Sequence, residues 1–130
     1  MSFTILVTAP TLAPAGLELL RNAGCRVLLV PTENGTQEIE RIMRTEPVQA
    51  VISRSLPLSG DAIRSCPTLK VICKHGVGVN NIDVDAATSL RIPVYITGSA
   101  NAQSVAELTI GLMIAVAHGV AEPPHVIRTG

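Results

Sequence analysis

A pair of glycines late in the chain could bind an anion. Gly76 and Gly78 stand two residues apart, directly after the apolar run 69–73. A dinucleotide-binding turn has the pattern G-x-G-x-x-G after the first strand of its unit, and its third glycine lets the helix pack close to that strand. Here the third position holds Asn81, and the pair follows the fourth strand-like run, so the dinucleotide interpretation is weak. The local pattern favours a tight turn that requires a positive φ.

The same turn could instead hold a small carboxylate. Closely spaced glycines leave backbone N–H groups available, and the turn precedes a helix predicted over residues 83–90, whose N-terminus attracts anions. A second loop, Ser53-Arg54-Ser55, follows the third strand-like run and offers hydroxyls and a guanidinium to a carboxylate. The alternative for Arg54 is an ordinary solvated charge on a loop. Open α/β sheets bind ligands outside the carboxyl ends of their strands, where both loops are expected to lie.

Strand-like and helix-like segments alternate along the first part of the chain. The strand-like runs are residues 4–8, 27–30, 50–52, 69–73 and 93–96. They are rich in β-branched residues and mostly lack polar alternation, as expected for strands buried on both faces of a parallel sheet. The helical patterns between them are residues 13–23, 36–45, 59–65 and 83–90. This alternation predicts an α/β fold with a five-stranded, parallel, doubly wound sheet.

A helix of a different kind is predicted over residues 102–119. Apolar residues occupy nearly every side of it, including Leu108, Leu112, Ile114 and Val116. A helix without a polar face belongs in a core or an interface. We therefore expect residues 101–120 to form an interdomain or dimerisation helix, and we expect a homodimer that pairs through it. Residues 121–130 follow as a tail without a pattern.

Composition narrows the possible partners and the location. Ten basic and ten acidic residues give a net charge of zero without a basic block, so we expect neither nucleic acid nor a membrane surface as a partner. Three cysteines without a C-x-x-C pair argue against a disulfide framework or a zinc knuckle. The start of the chain lacks a signal-peptide pattern, and the apolar stretch 108–121 is too short to span a bilayer. We therefore expect a cytoplasmic protein.

Three linked segments resemble a known family. They are KHGVGVNNIDVDAAT from residue 74, RIPV from residue 91 and SANAQSVAE from residue 99. In order and spacing they resemble the D-isomer-specific 2-hydroxyacid dehydrogenases, above all the phosphoglycerate dehydrogenase branch. The resemblance implies that residues 1–100 form a flavodoxin-like substrate-binding (catalytic) domain. It also implies that the turn Gly76-Val77-Gly78 holds the substrate carboxylate, that Ser53-Arg54-Ser55 lines the cleft, and that Asn101 stands at the hinge towards the nucleotide domain.

The chain departs from the family pattern near this hinge and in the turn. Ile96-Thr97-Gly98-Ser99 replaces the usual Asn-Thr-Pro-Gly. Leu108 stands where a histidine is common, and Asn80 stands where an aspartate is common. These differences concern the fine geometry of substrate binding rather than the fold.

The NAD-binding Rossmann domain of the family, which also carries its catalytic Arg, Glu and His, has no counterpart in these 130 residues. We assign no catalytic role to His75, His118, His125 or Glu107. We therefore expect a truncated dehydrogenase with no cofactor in this chain, although the full-length family uses NAD. Such a chain has no turnover alone and binds a small 2-hydroxy or 2-keto acid weakly. The alternative is a small-acid-binding module, or a subunit of a split dehydrogenase whose partner is a separate Rossmann-domain chain.

Overall fold

The chain folds as two compact units, one ending at Gly98 and the other beginning at Ser99. A computed structural model describes residues 2–120, so the predicted tail at 121–130 lies outside the described residues. The elements of the first unit are β1 Thr4–Val7, α1 Pro14–Asn22, β2 Arg26–Leu29, α2 Gly35–Thr45, β3 Val48–Ser53, α3 Gly60–Arg64, β4 Val71–Lys74, α4 Val84–Ser89 and β5 Val94–Ile96. The second unit contains α5, Ala102–Ala117.

The five strands form one parallel sheet in the order β2-β1-β3-β4-β5. This is the strand order of flavodoxin-like folds, and the predicted α/β class is confirmed. The winding direction reverses between β1 and β3, which makes the carboxyl ends of these two strands the topological switch point. Predicted and observed boundaries differ by a few residues, as for β3, which begins at Val48 rather than at residue 50.

The main core lies on the sheet face covered by α2, α3 and α4. Helix α2 turns Ile39, Ile42 and Met43 towards this core, because residues three and four apart lie on one side of a helix. They pack with sheet residues such as Leu6 and Ile72, which are fully buried. Each such side chain contributes roughly 1.5–3 kcal/mol by leaving water.

The opposite face of the sheet carries α1. One row of neighbouring side chains crosses all five strands on this face: Leu29, Val7, Ile52, Cys73 and Tyr95. Val7 on β1 is fully buried, whereas Tyr95 at the β5 edge is 61% exposed. Helix α1 therefore covers only part of this face.

The second unit consists mainly of α5, and none of the helix's residues is buried. It ends at Ala117, two residues before the predicted end, and Gly119 just beyond it has a φ of 63°. A left-handed glycine at this position is a common helix terminator. Within the part of the chain that the structure describes, no helix is both long and apolar enough to cross a membrane.

Candidate functional site

The glycine turn begins where β4 ends, at the carboxyl edge of the sheet. Gly76 has a φ of 130°, a conformation that residues with a side chain rarely adopt. The predicted requirement for a positive φ is therefore confirmed at Gly76. Gly78 is not among the glycines with positive φ, so Gly76 alone of the pair meets this requirement.

The backbone amides of this turn fall into two groups. The N–H of Gly76 donates to the hydroxyl Oγ1 of Thr97 at 2.7 Å, and the N–H of Thr97 donates back to the carbonyl of Gly76 at 3.0 Å. The amides of Val77 and Gly78 make no hydrogen bond within residues 2–120, and both residues are exposed. Two adjacent N–H donors thus remain available to an external anion.

Ser53, the last residue of β3, was expected to line the cleft, but the structure places its side chain in the interior. Ser53 is fully buried, and its hydroxyl accepts a hydrogen bond from Nδ2 of Asn81 at 3.2 Å. Its side chain therefore stabilises the interior and is not exposed to the cleft. Ser55, by contrast, is exposed.

Arg54 connects the β3 loop to the loop after β1. Its backbone N–H donates to Oγ1 of Thr8 at 2.9 Å, and its guanidinium Nη1 donates to the carbonyl of Thr11 at 2.7 Å. These contacts hold the guanidinium at the switch point between β1 and β3, where ligands of such sheets bind. The guanidinium carries five N–H donors, so the bond to Thr11 leaves others available.

The structure brings the two predicted loops together. Ser53 is the parallel partner of Lys74 in the register of β3 and β4, and the N–H of His75 donates to the carbonyl of Ser53 at 2.9 Å. Asn101 belongs to the second unit, where it precedes α5 without a capping bond from its side chain.

Three residues that hold the site together were missed by the sequence analysis. Lys74 donates from Nζ to the carbonyl of Arg54 and to Oδ1 of Asn81, each at 2.6 Å. Asn81 also donates to the carbonyls of Arg54 and Leu56, and Thr97 binds the Gly76 amide. Two features of the sequence could have indicated such a role. Lys74 stands at the end of a buried strand, and Asn81 stands where a dinucleotide turn has its third glycine.

An apolar groove adjoins the turn on the α1 side of the sheet. Its volume is about 270 Å³, and its lining includes Leu12, Leu20, Ile52, Cys73, His75 and Thr97. Burial raises the pKa of the Cys73 thiol. Because a thiol rather than a thiolate is then present at neutral pH, Cys73 is a poor nucleophile. The described residues contain no cluster of three His, Cys, Asp or Glu side chains that could hold a metal ion.

The turn does not fit the pyrophosphate of NAD. A dinucleotide turn needs a third glycine against the strand, but Asn81 at this position is bonded to Ser53, Arg54 and Leu56 across the sheet edge. The Gly76 amide is already occupied by Thr97. The α4 helix that follows has only six residues, and the amide of its third residue, Ala86, already donates to Oδ1 of Asp83 at 2.9 Å.

The fold and the site define a flavodoxin-like α/β domain with a glycine turn at the carboxyl edge of its sheet, in which two successive amides are unbonded among residues 2–120. The sequence profile of the D-isomer specific 2-hydroxyacid dehydrogenase catalytic domain matches residues 5–122. The chain belongs to this family, and the resemblance noted from its motifs is confirmed.

Individual relatives agree with this assignment. The D-3-phosphoglycerate dehydrogenase of Methanocaldococcus jannaschii is 35% identical over 127 residues, which are 97% of this chain and 23% of that protein. The crystal structure of the NAD+-bound 3-phosphoglycerate dehydrogenase of Entamoeba histolytica matches 88% of this chain and 39% of that one, with a TM-score of 0.74 and 29% identity. The TT0316 protein of Thermus thermophilus matches 98% of this chain and 41% of that one, with a TM-score of 0.81 and 26% identity. The chain therefore spans less than half the length of these relatives.

Proposed function

We propose that this chain supplies the substrate-binding domain of an NAD-dependent oxidoreductase that acts on the CH–OH group of a small 2-hydroxy acid. The observation that carries this proposal is the pair of exposed, unbonded amides at Val77 and Gly78. They lie in the turn after β4, beside the loop that carries Arg54. Membership of the 2-hydroxyacid dehydrogenase family supports a carboxylate as the anion they bind.

The contacts support a specific way of binding the acid. Two N–H groups in succession can donate to one carboxylate, and hydrogen bonds to a charged acceptor are stronger than those between neutral groups. The exposed hydroxyl of Ser55 and the remaining N–H groups of Arg54 lie on the neighbouring loop. Such an open site forms few contacts, so we expect a dissociation constant of about 1 mM.

An NMR titration with glycolate, the smallest 2-hydroxy acid, tests this proposal. We expect the amide signals of Val77 and Gly78 to shift saturably, with a smaller shift at Ser55. Methyl glycolate is the matched control, because it keeps the hydroxyl and the carbon chain but has no negative charge. Equal shifts with both compounds, or shifts confined to other surfaces, would contradict carboxylate binding.

We also propose that these 130 residues alone do not turn over a substrate. Hydride transfer needs a nicotinamide held against the reacting carbon and an acid or base at the oxygen. The glycine turn does not fit NAD, and His75 is exposed at the start of that turn. Purified chain should neither bind NADH in calorimetry nor oxidise it with hydroxypyruvate, pyruvate, glyoxylate or 2-ketoglutarate. Saturable NADH binding would refute this part of the proposal.

A small-acid-binding module, or one subunit of a split dehydrogenase, is the second candidate function. It is favoured by the compactness of the first unit, which includes both loops of the site. Adding a separately produced NAD-binding domain distinguishes the two forms. Recovery of NADH oxidation would support a split enzyme, whereas acid binding without recovery would support a module.

For assembly, we propose a homodimer in which α5 pairs with α5 of a second copy. The helix exposes large apolar side chains on all its sides, and Glu107 is its only charged residue. A two-fold pair is the simplest closed arrangement that covers such a surface. A cytoplasmic location is proposed as well, and the three free cysteines, Cys25, Cys66 and Cys73, support it.

A further inference from the structure

Lys74, the last residue of β4, connects the two loops of the site through its ammonium group. Its Nζ donates to the carbonyl of Arg54 and to Oδ1 of Asn81, each at 2.6 Å. Asn81 donates in turn to the carbonyls of Arg54 at 3.0 Å and of Leu56 at 3.1 Å. The loop after β3 is therefore held from one side by side chains from the end of β4 and from the glycine turn.

These bonds decide the orientation of one peptide group in the β3 loop. The carbonyl oxygen of Arg54 accepts from both Lys74 and Asn81, which uses its two lone pairs. In a planar trans peptide the following N–H, here that of Ser55, points in the opposite direction. Ser55 N–H has no acceptor among residues 2–120. Lys74 and Asn81 thus turn this donor outwards, away from their own network.

The charge of Lys74 is balanced by neutral oxygens rather than by a carboxylate. None of the salt bridges within the described range 2–120 includes Lys74. Burial without a counter-ion lowers the pKa of its ammonium group. Partial burial of this charge therefore costs free energy, which a neutral side chain with the same hydrogen bonds would avoid.

We propose that Lys74 is a positioning residue for acid binding, which fixes the Ser55 amide of one loop relative to the Val77 and Gly78 amides of the other. This inference rests on the proposed carboxylate site. It assigns to Lys74 no direct contact with the ligand, because its ammonium points to Arg54 and Asn81.

Three variants of the whole chain and one control test the proposal. Lys74→Met keeps the aliphatic stem and removes the charge and the donors, Lys74→Gln keeps a polar end, and Lys74→Arg keeps charge and donors. Lys70→Met is the matched control, because Lys70 is an exposed lysine that precedes the same strand. Glycolate affinity is measured from the Val77 and Gly78 amides, and stability is measured separately by urea unfolding.

We expect Lys74→Met and Lys74→Gln to weaken glycolate binding about fivefold or more and to move the ligand-free amide signal of Ser55. Lys74→Arg should recover part of the affinity, and Lys70→Met should match the wild type. If the Met and Gln variants fold and bind glycolate with wild-type affinity, the role proposed for Lys74 is overturned. The proposed carboxylate site would not be affected by that result. Failure of both to fold would make Lys74 a stability residue and would also overturn it. Absence of glycolate binding in the wild type would remove the proposed function and this inference together.

Discussion

Gly76 and Gly78 differ in the backbone conformation that each must adopt. Gly76 has a φ of 130°, whereas Gly78 is not among the positive-φ residues. A Cβ atom at Gly76 would have Cε of Lys74 as its nearest neighbour, at an ordinary contact distance of 3.9 Å, and one at Gly78 would meet nothing within 4 Å. A substitution at Gly76 is therefore opposed by backbone strain and not by lack of space.

Replacing each glycine by alanine should separate these two cases. We expect Gly76→Ala to lower the free energy of unfolding by about 1–3 kcal/mol, because alanine is forced into a conformation it rarely adopts. Gly78→Ala should leave it unchanged or raise it by up to about 1 kcal/mol, because alanine restricts the unfolded chain. Urea denaturation of both variants measures the difference. Similar effects in the two variants would contradict a strained turn at Gly76.

Among the elements around the site, α4 is a short helix that depends on its N-cap residue, Asp83. It spans only Val84–Ser89, too few residues to be stable from helical hydrogen bonds alone. The side chain of Asp83 accepts from the Ala86 amide at 2.9 Å, and the Asp83 amide donates to the carbonyl of Leu58 at 3.1 Å. Asp83 thus joins the end of the glycine turn to the start of the helix.

Removal of this cap should destabilise the first unit measurably. Asp83→Ala should lower the free energy of unfolding by about 1 kcal/mol, because an amide at the helix start loses its acceptor. Asp83→Asn is the control, since asparagine caps helices as well as aspartate does. In thermal or urea unfolding, the stability of Asp83→Asn should therefore be close to that of the wild type, and Asp83→Ala should be less stable than both. An Asn variant that is as unstable as the Ala variant would show that the charge of Asp83 matters more than the cap.

For assembly of the whole molecule, α5 is the important element, because among residues 2–120 it is the helix with the most exposed large apolar side chains. Leu108, Leu112 and Val116 are 64%, 56% and 77% exposed. Each large apolar side chain that leaves water contributes roughly 1.5–3 kcal/mol. If a second copy covers several of these side chains, we expect the free energy gained by their burial to exceed the entropic cost of association.

A charge in the middle of α5 should therefore prevent dimer formation. We expect sedimentation equilibrium to find a dimer for the wild type and a monomer, or insoluble protein, for Leu112→Glu. Leu19→Glu is the matched control, because Leu19 is 69% exposed but lies on α1. It should remain dimeric. A wild-type monomer at high protein concentration would contradict the proposed pairing.

Three features of the protein could be predicted from the residues alone: the parallel sheet, the glycine turn with a positive φ at Gly76, and the family. Runs of β-branched residues without polar alternation are typical of strands buried on both faces, as in a parallel sheet between helices. The glycine pair predicted the turn, and the three linked segments, which include this pair, indicated the family. These signals are local, so they can be recognised in a single chain without any contact between distant residues.

Which groups of the site remain free depends on contacts between residues that are distant in the sequence. Ser53 was expected to line the cleft, but Asn81, 28 residues later, binds its hydroxyl in the interior. The Gly76 amide was expected to be available, but Thr97, 21 residues later, occupies it. The physical reason is that strand order and register bring the ends of β3, β4 and β5 together, and polar groups buried there must find partners across the loops. No spacing within one segment of the sequence encodes that choice.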